Sequence, residues 1–267
     1  MKVFISADIE GTNGITHWDE TENDKREFPY FAAKMTAEVA AVCNGINGVY
    51  PDSIIFVKDA HHTARNLNHD ILPRNVILNR SWARNPYGMM DGIDGTFNAA
   101  ILTGYHSRAG SNGNPLAHTT SGNIIHVKIN ELYASEAIMN GFTALYSGVP
   151  LVMVAGDEAL CNSMKEIEPN LYTVTSITGR GNSTTSEHPE LIRERLTETA
   201  AEAAANASRM KLKLPDTFKT EIYFKLHAQA YRAGFYPGAQ QTGNHTVAFD
   251  TKDYFEFLRY YMFVSQF

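Results

Sequence analysis

Two carboxylates, Asp8 and Glu10, follow the short apolar run Val3 to Ala7, and a backbone period of two sends both to the same side. Three imidazoles stand in comparable places. His61 and His62 come just after the run Ser53 to Val57, by way of Asp59 and Ala60, and His106 closes the segment Gly104-Tyr105-His106 after the run Ala99 to Thr103. His118 lies further on in a loop, and Glu136 lies near the start of a segment with a helical apolar stripe. Each has an ordinary reading when taken singly: a solvated strand end, a polar loop, a structural histidine, or an acid complementing a helix dipole. Their recurrence at successive strand and loop ends is harder to dismiss. Two acids on one edge repel unless a cation or a bound proton offsets them. Imidazole with carboxylate and no thiolate suits Zn²⁺, Mn²⁺ or Fe, and three carboxylates with two imidazoles allow two metals to share one carboxylate.

These side chains need elements that bring their ends together. Val3 to Ala7, Ser53 to Val57, Ala99 to Thr103 and Leu151 to Ala155 are apolar without polar alternation, as expected of strands covered on both faces in a parallel sheet. Phe31, Met35, Val39, Val42 and Ile46 fall at helical spacing between the first two runs, before Gly48 and Pro51, which makes a βαβ unit. Tyr133 to Tyr146 reads as a second helix and Pro189 to Ala207 as a third. From Thr220 onward the pattern changes to strand-like runs, Glu221 to Leu226 and His245 to Phe249, with a closing helix over Asp253 to Val264. The expectation is an α/β fold in one catalytic unit. A three-layer βαβ body with a mostly parallel sheet would span about residues 1–207, and a smaller α+β portion about residues 208–267. In such open sheets ligands gather at the carboxyl ends of the strands, where these acids and histidines stand.

Other chemistries fit less well. Gly11-Thr12-Asn13-Gly14 completes neither phosphate-binding glycine pattern, and Gly179-Arg180-Gly181-Asn182-Ser183 does not form a hydrolase nucleophile elbow. Thr178 to Thr185 reads instead as a polar, glycine-containing loop. Trp82, Tyr87, Met89 and Met90 would line a pocket, meet another subunit or pack in the core. A formal charge of −6 supplies no basic field for nucleic acid, so no nucleic-acid partner is expected. No run reaches the ~18 apolar residues of a membrane span, so no membrane partner is expected either. Cys43 and Cys161, the two cysteines, are far apart and form no metal-binding pair; together with the missing signal-peptide pattern this points to the cytoplasm.

The ordered set of segments resembles the zinc D-aminopeptidase family. It comprises Ser6-Ala7-Asp8-Ile9-Glu10-Gly11, Asp59-Ala60-His61, Gly104-Tyr105-His106-Ser107-Arg108-Ala109, Ala117-His118, Ile129-Asn130 with Ser135-Glu136, and Val149 to Asp157. The resemblance implies that Asp8, Glu10, His61, His106 and Glu136 bind two Zn²⁺ per subunit, with Asp8 bridging, and that His118 is the catalytic histidine. It implies a substrate that is a short peptide, losing its N-terminal D-residue, such as D-Ala, to a hydroxide bridging the metals. A ring-shaped homo-oligomer, a decamer of two stacked pentamers, is implied as well. Asp59 and Asp157 are candidates to orient the ligating histidines, which usually donate their second N–H to a carboxylate or carbonyl. The same residues would also serve another dinuclear amidase, esterase or phosphoesterase, or a non-catalytic peptide-binding module.

Overall fold

A computed structural model describes residues 1–265. In chain order the strands and helices are β1 (Lys2–Ala7), α1 (Phe28–Val49), β2 (Ile54–Asp59), β3 (Val76–Asn79), β4 (Ala99–Tyr105), β5 (Ile124–Ile129), β6 (Leu132–Tyr133), α2 (Glu136–Tyr146), β7 (Leu151–Asp157), α3 (Glu158–Ile167), β8 (Tyr172–Arg180), β9 (Ser183–Thr185), α4 (Pro189–Ala205), β10 (Phe218–Phe224), α5 (His227–Ala233), β11 (Gln240–Gln241), β12 (Thr246–Thr251) and α6 (Tyr254–Ser265). A seven-stranded sheet runs β3-β2-β1-β4-β7-β8-β9, parallel except for the β8–β9 hairpin. A five-stranded antiparallel sheet runs β11-β12-β10-β5-β6.

Alternation along β1 divides the interior in two. Val3, Ile5 and Ala7 join a core with Met35, Val39, Val42 and Ile46 of α1 and Ile192, Leu196 and Ala200 of α4. Phe4 faces the opposite way, into a core shared with Ile138 and Phe142 of α2, Val127 and Ile222 of the antiparallel sheet, and Phe257 and Tyr260 of α6. The parallel sheet is therefore the middle layer, which is why its strands are apolar on both faces. Among the described residues no helix is long and apolar enough to cross a membrane.

Several boundaries differ from expectation. Leu132 and Tyr133 form β6 against Ile129 and Lys128, so the second helix begins at Glu136, where the Ser135 side chain accepts the Ile138 N–H. Glu136 is thus the first helical residue. Thr178 to Thr185, expected as a loop, is the β8–β9 hairpin. β5 and β6 come from the middle of the chain yet pair with β10, so a boundary near residue 207 does not separate the two sheets.

Candidate metal centre

β1 is the strand at which the sheet order reverses, β2 and β3 lying to one side and β4 and β7 to the other. The crevice beyond the carboxyl ends of β1 and β4 is the switch point where open α/β sheets bind ligands. Asp8 and Glu10 leave β1 there. The chain stays close to β4 beyond the regular ladder, because Asp8 N–H donates to Thr103 O (2.9 Å) and Gly11 N–H to Gly104 O (2.8 Å). That approach needs glycine at 104. Its φ is +70°, and a Cβ there would lie 2.1 Å from the Asp8 carbonyl oxygen.

The structure brings all six sequence-selected residues together. His61 Nδ1 lies 3.2 Å from Asp8 Oδ1 and 3.1 Å from Glu10 Oε2. His106 Nε2 lies 3.7 Å from Asp8 Oδ2 and 3.5 Å from Glu136 Oε2. Asp8 therefore turns one oxygen toward each of two groups, Asp8–Glu10–His61 and Asp8–His106–Glu136, and in each group the ligand atoms lie within 4.8 Å of one another. His118 also falls within that limit of Glu10 and His106, its Nε2 lies 3.8 Å from Glu136 Oε1, and its ring stacks on His106 at 4.4 Å. It differs from the others in exposure: 16% of its side chain is accessible, against 7% or less for the other five.

Each histidine commits one nitrogen to a backbone carbonyl, which fixes which nitrogen faces inward. His61 Nε2 donates to Thr21 O (2.9 Å), His106 Nδ1 to Ser107 O (2.9 Å) and His118 Nδ1 to Leu116 O (2.9 Å). Carbonyls thus do the orienting expected of Asp59 and Asp157. Those two acids instead shape the loops that carry His61, His106 and His118. Asp59 accepts the N–H groups of Asn66 (2.6 Å) and Leu67 (2.8 Å), and the Asn66 amide reaches His61 O (2.7 Å). Asp157 accepts from the Ser107 N–H and hydroxyl and caps α3 through Leu160 N–H (2.8 Å).

The charges at the site act strongly on one another. Among the described residues no Lys or Arg pairs with Asp8, Glu10 or Glu136, although all three carboxyls are buried. Burial and the neighbouring Glu10 push the Asp8 carboxyl well above its usual range. Burial also opposes ionisation of Glu10, but His61, His106 and His118 outweigh it and hold that carboxyl well below its usual range. Glu136 is lowered in the same way, burial being overcome by His106 and His118. Burial disfavours the imidazolium of His61 and of His106, yet the surrounding carboxylates raise both well above the ordinary histidine value. His106 Nε2 and Glu10 Oε2 are buried without a well-aligned hydrogen-bond partner. Nitrogen and carboxylate donors with orphaned lone pairs, arranged in two adjoining sets, fit a pair of divalent zinc-type ions.

The site opens into a cavity of about 480 Å³. Trp82, Tyr87 and Met89 line it as one of the sequence alternatives held, whereas Met90 is fully buried in the core. Other wall residues carried no sequence signal for this site. Leu258, Tyr261 and Met262 arrive from α6, and Trp18 and Thr21 from the loop before α1. Tyr261 OH donates to Thr120 Oγ1 (3.0 Å), and Thr120 N–H donates to Glu136 Oε1. Thr120 has φ +64°, a strained conformation for a β-branched residue, at a position that borders the cavity.

A D-aminopeptidase family model matches residues 1–263. The chain belongs to the D-aminopeptidase family. It is accordingly a peptide hydrolase. It is 31% identical over 260 residues to a D-aminopeptidase of Bacillus subtilis (strain 168), covering 96% of this chain and 93% of that protein. A solved structure, the Zn-dependent D-aminopeptidase DppA from Bacillus subtilis, described as a self-compartmentalizing protease, superposes with a TM-score of 0.92 at 29% identity, covering 99% of this chain and 97% of that one. Membership in the D-aminopeptidase family accounts for the ordered motifs from Asp8 to Asp157.

Proposed function

We propose that the protein is a dinuclear zinc aminopeptidase that releases the N-terminal residue, D-Ala or a similar D-amino acid, from short peptides in the cytoplasm. The observation that carries this reading is Asp8, whose two carboxylate oxygens address two separate His–carboxylate groups beside a cavity open to substrate. Asp8, Glu10 and His61 would hold one ion, and Asp8, His106 and Glu136 the other. When bound, zinc supplies Lewis acidity and lowers the pKa of a coordinated water from 15.7 toward ~7. His118, more open to the cavity than the ligands, moves a proton at Nε2, since its Nδ1–H is committed to the Leu116 carbonyl. Trp82, Tyr87 and Met89 on the walls exclude water around the scissile bond and accept apolar parts of the peptide.

The solved relative is Zn-dependent and self-compartmentalizing. Carried to this chain, those descriptions support zinc as the metal and a homo-oligomer as the working form; the ring-shaped decamer of two pentamers is proposed from the family resemblance. The test is hydrolysis of D-Ala and L-Ala tripeptides by protein before and after chelation, with zinc content measured in parallel. Two zinc ions per chain, D-Ala release, and loss and recovery of activity with zinc removal and return are the expected results. Full activity in zinc-free protein would falsify the reading, and turnover confined to phosphoesters or carboxylic esters would replace it with another dinuclear hydrolase.

A further inference from the structure

His118 is the middle of a short series of touching rings. The His106 ring lies parallel to it at 4.4 Å and 10°, and the Trp18 indole meets it at 5.3 Å and 65°. Trp18 begins a single 3₁₀ turn, Trp18–Glu20, that is fastened from several sides. The Glu20 carboxylate accepts the N–H groups of Thr16 and His17, and His17 Nδ1 accepts the Asp19 N–H (3.2 Å). The Thr21 hydroxyl and N–H both donate to Trp18 O. Thr16 and Thr184 hydroxyls bond at 2.7 Å and Thr184 Oγ1 also reaches Ile15 O (3.0 Å), which ties the segment to the β8–β9 hairpin. The same turn supplies the Thr21 carbonyl that orients His61. One loop therefore touches both a proposed ligand and the proposed catalytic histidine.

His118 needs such support. Its loop gives it one hydrogen bond, from Nδ1 to Leu116 O, and rotation about that bond would carry Nε2 away from Glu136 and out of line with the cavity. The indole contact adds a further restraint on the imidazole ring, beside its stack on His106. We infer that Trp18 is a positioning residue that holds His118 with Nε2 toward the reacting bond. The inference rests on the reading of His118 as the proton carrier.

Kinetics of four variants on a D-Ala tripeptide test it: Trp18→Ala, Trp18→Phe, His118→Ala, and Trp18→Ala combined with His118→Ala, each with zinc content and Tm. A misaligned catalytic group costs up to ~10²-fold, so Trp18→Ala is expected to lower kcat by roughly ten- to a hundredfold while KM, zinc content and Tm stay near wild type. Trp18→Phe, which keeps a ring edge, is expected to recover most of kcat. In the His118→Ala background the tryptophan change is expected to add nothing. An unchanged kcat in Trp18→Ala, a change confined to KM, or equal losses in both backgrounds overturns the inference while leaving the function reading intact. Wild-type kcat in His118→Ala would overturn both.

Discussion

At the scale of single residues, exposure differs between the proposed ligands and the proposed catalyst. Glu136 is buried between His106 and the Thr120 N–H, whereas His118 keeps 16% of its side chain open to the cavity. His118→Ala is therefore expected to retain zinc and lose ~10²-fold or more in kcat, a typical contribution of general acid–base catalysis. Glu136→Ala should instead bind less zinc, and metal analysis beside kinetics distinguishes the two. A second buried acid, Glu38 of α1, sits outside the metal centre. Burial pushes its carboxyl up to about 7 despite the Asn13 N–H on Oε1 and the charges of Lys34 and Arg193, and Oε2 has no partner. Because the folded pKa lies above the free value of 4.5, the native state holds the extra proton between these limits. Ionised Glu38 thus costs stability in full above about pH 7, and the cost vanishes as pH falls below 4.5. Glu38→Gln should raise Tm relative to wild type at pH 8 and converge with it near pH 4.5; an equal offset at both pH values would contradict this account.

At the scale of elements, the loops matter as much as the strands. Asp157 is both the last residue of β7 and the cap of α3, and its other hydrogen bonds hold Ser107 and, at 3.3 Å, Asn114. Asp157→Ala removes a helix cap worth ~0.5–2 kcal/mol and strands buried donors at ~1–3 kcal/mol. Urea unfolding should show a loss of about 3 kcal/mol, accompanied by lower activity because the segment between His106 and His118 loosens. The β1, β2, β4 and β7 strands were legible from their apolar runs, since a strand buried on both faces writes its burial directly into composition. Asp8, Glu10, His61 and His106 were legible because they follow those runs at once. α3 was not, because Glu158–Ile167 buries only Leu160, Cys161 and Met164 and otherwise carries polar residues. The pairing of β5 with β10 is set by tertiary packing across some ninety positions, from Lys128 to Glu221, and leaves no local trace. Trp18 and Tyr261 were hidden for the same reason: their partners, His118 and Thr120, are distant in sequence.

At the scale of the whole molecule, the surface around α5 and α6 carries Tyr231, Phe235 and Phe263, each more than 60% exposed. Aromatic exposure on that scale is a feature of surfaces that associate. With the proposed homo-oligomer in view, sedimentation equilibrium is expected to return a multiple of the 29.7 kDa chain mass, and a purely monomeric result at micromolar concentration would sink the ring assembly. The architecture also joins the two ends of the chain at one site. The six side chains of the metal centre are all contained between residues 8 and 136, but one wall of the cavity and the Tyr261 bond to Thr120 come from the helix that begins at Tyr254. Loss of that helix would open the cavity on one side and release the tether on Thr120, although the helix contributes none of the six side chains.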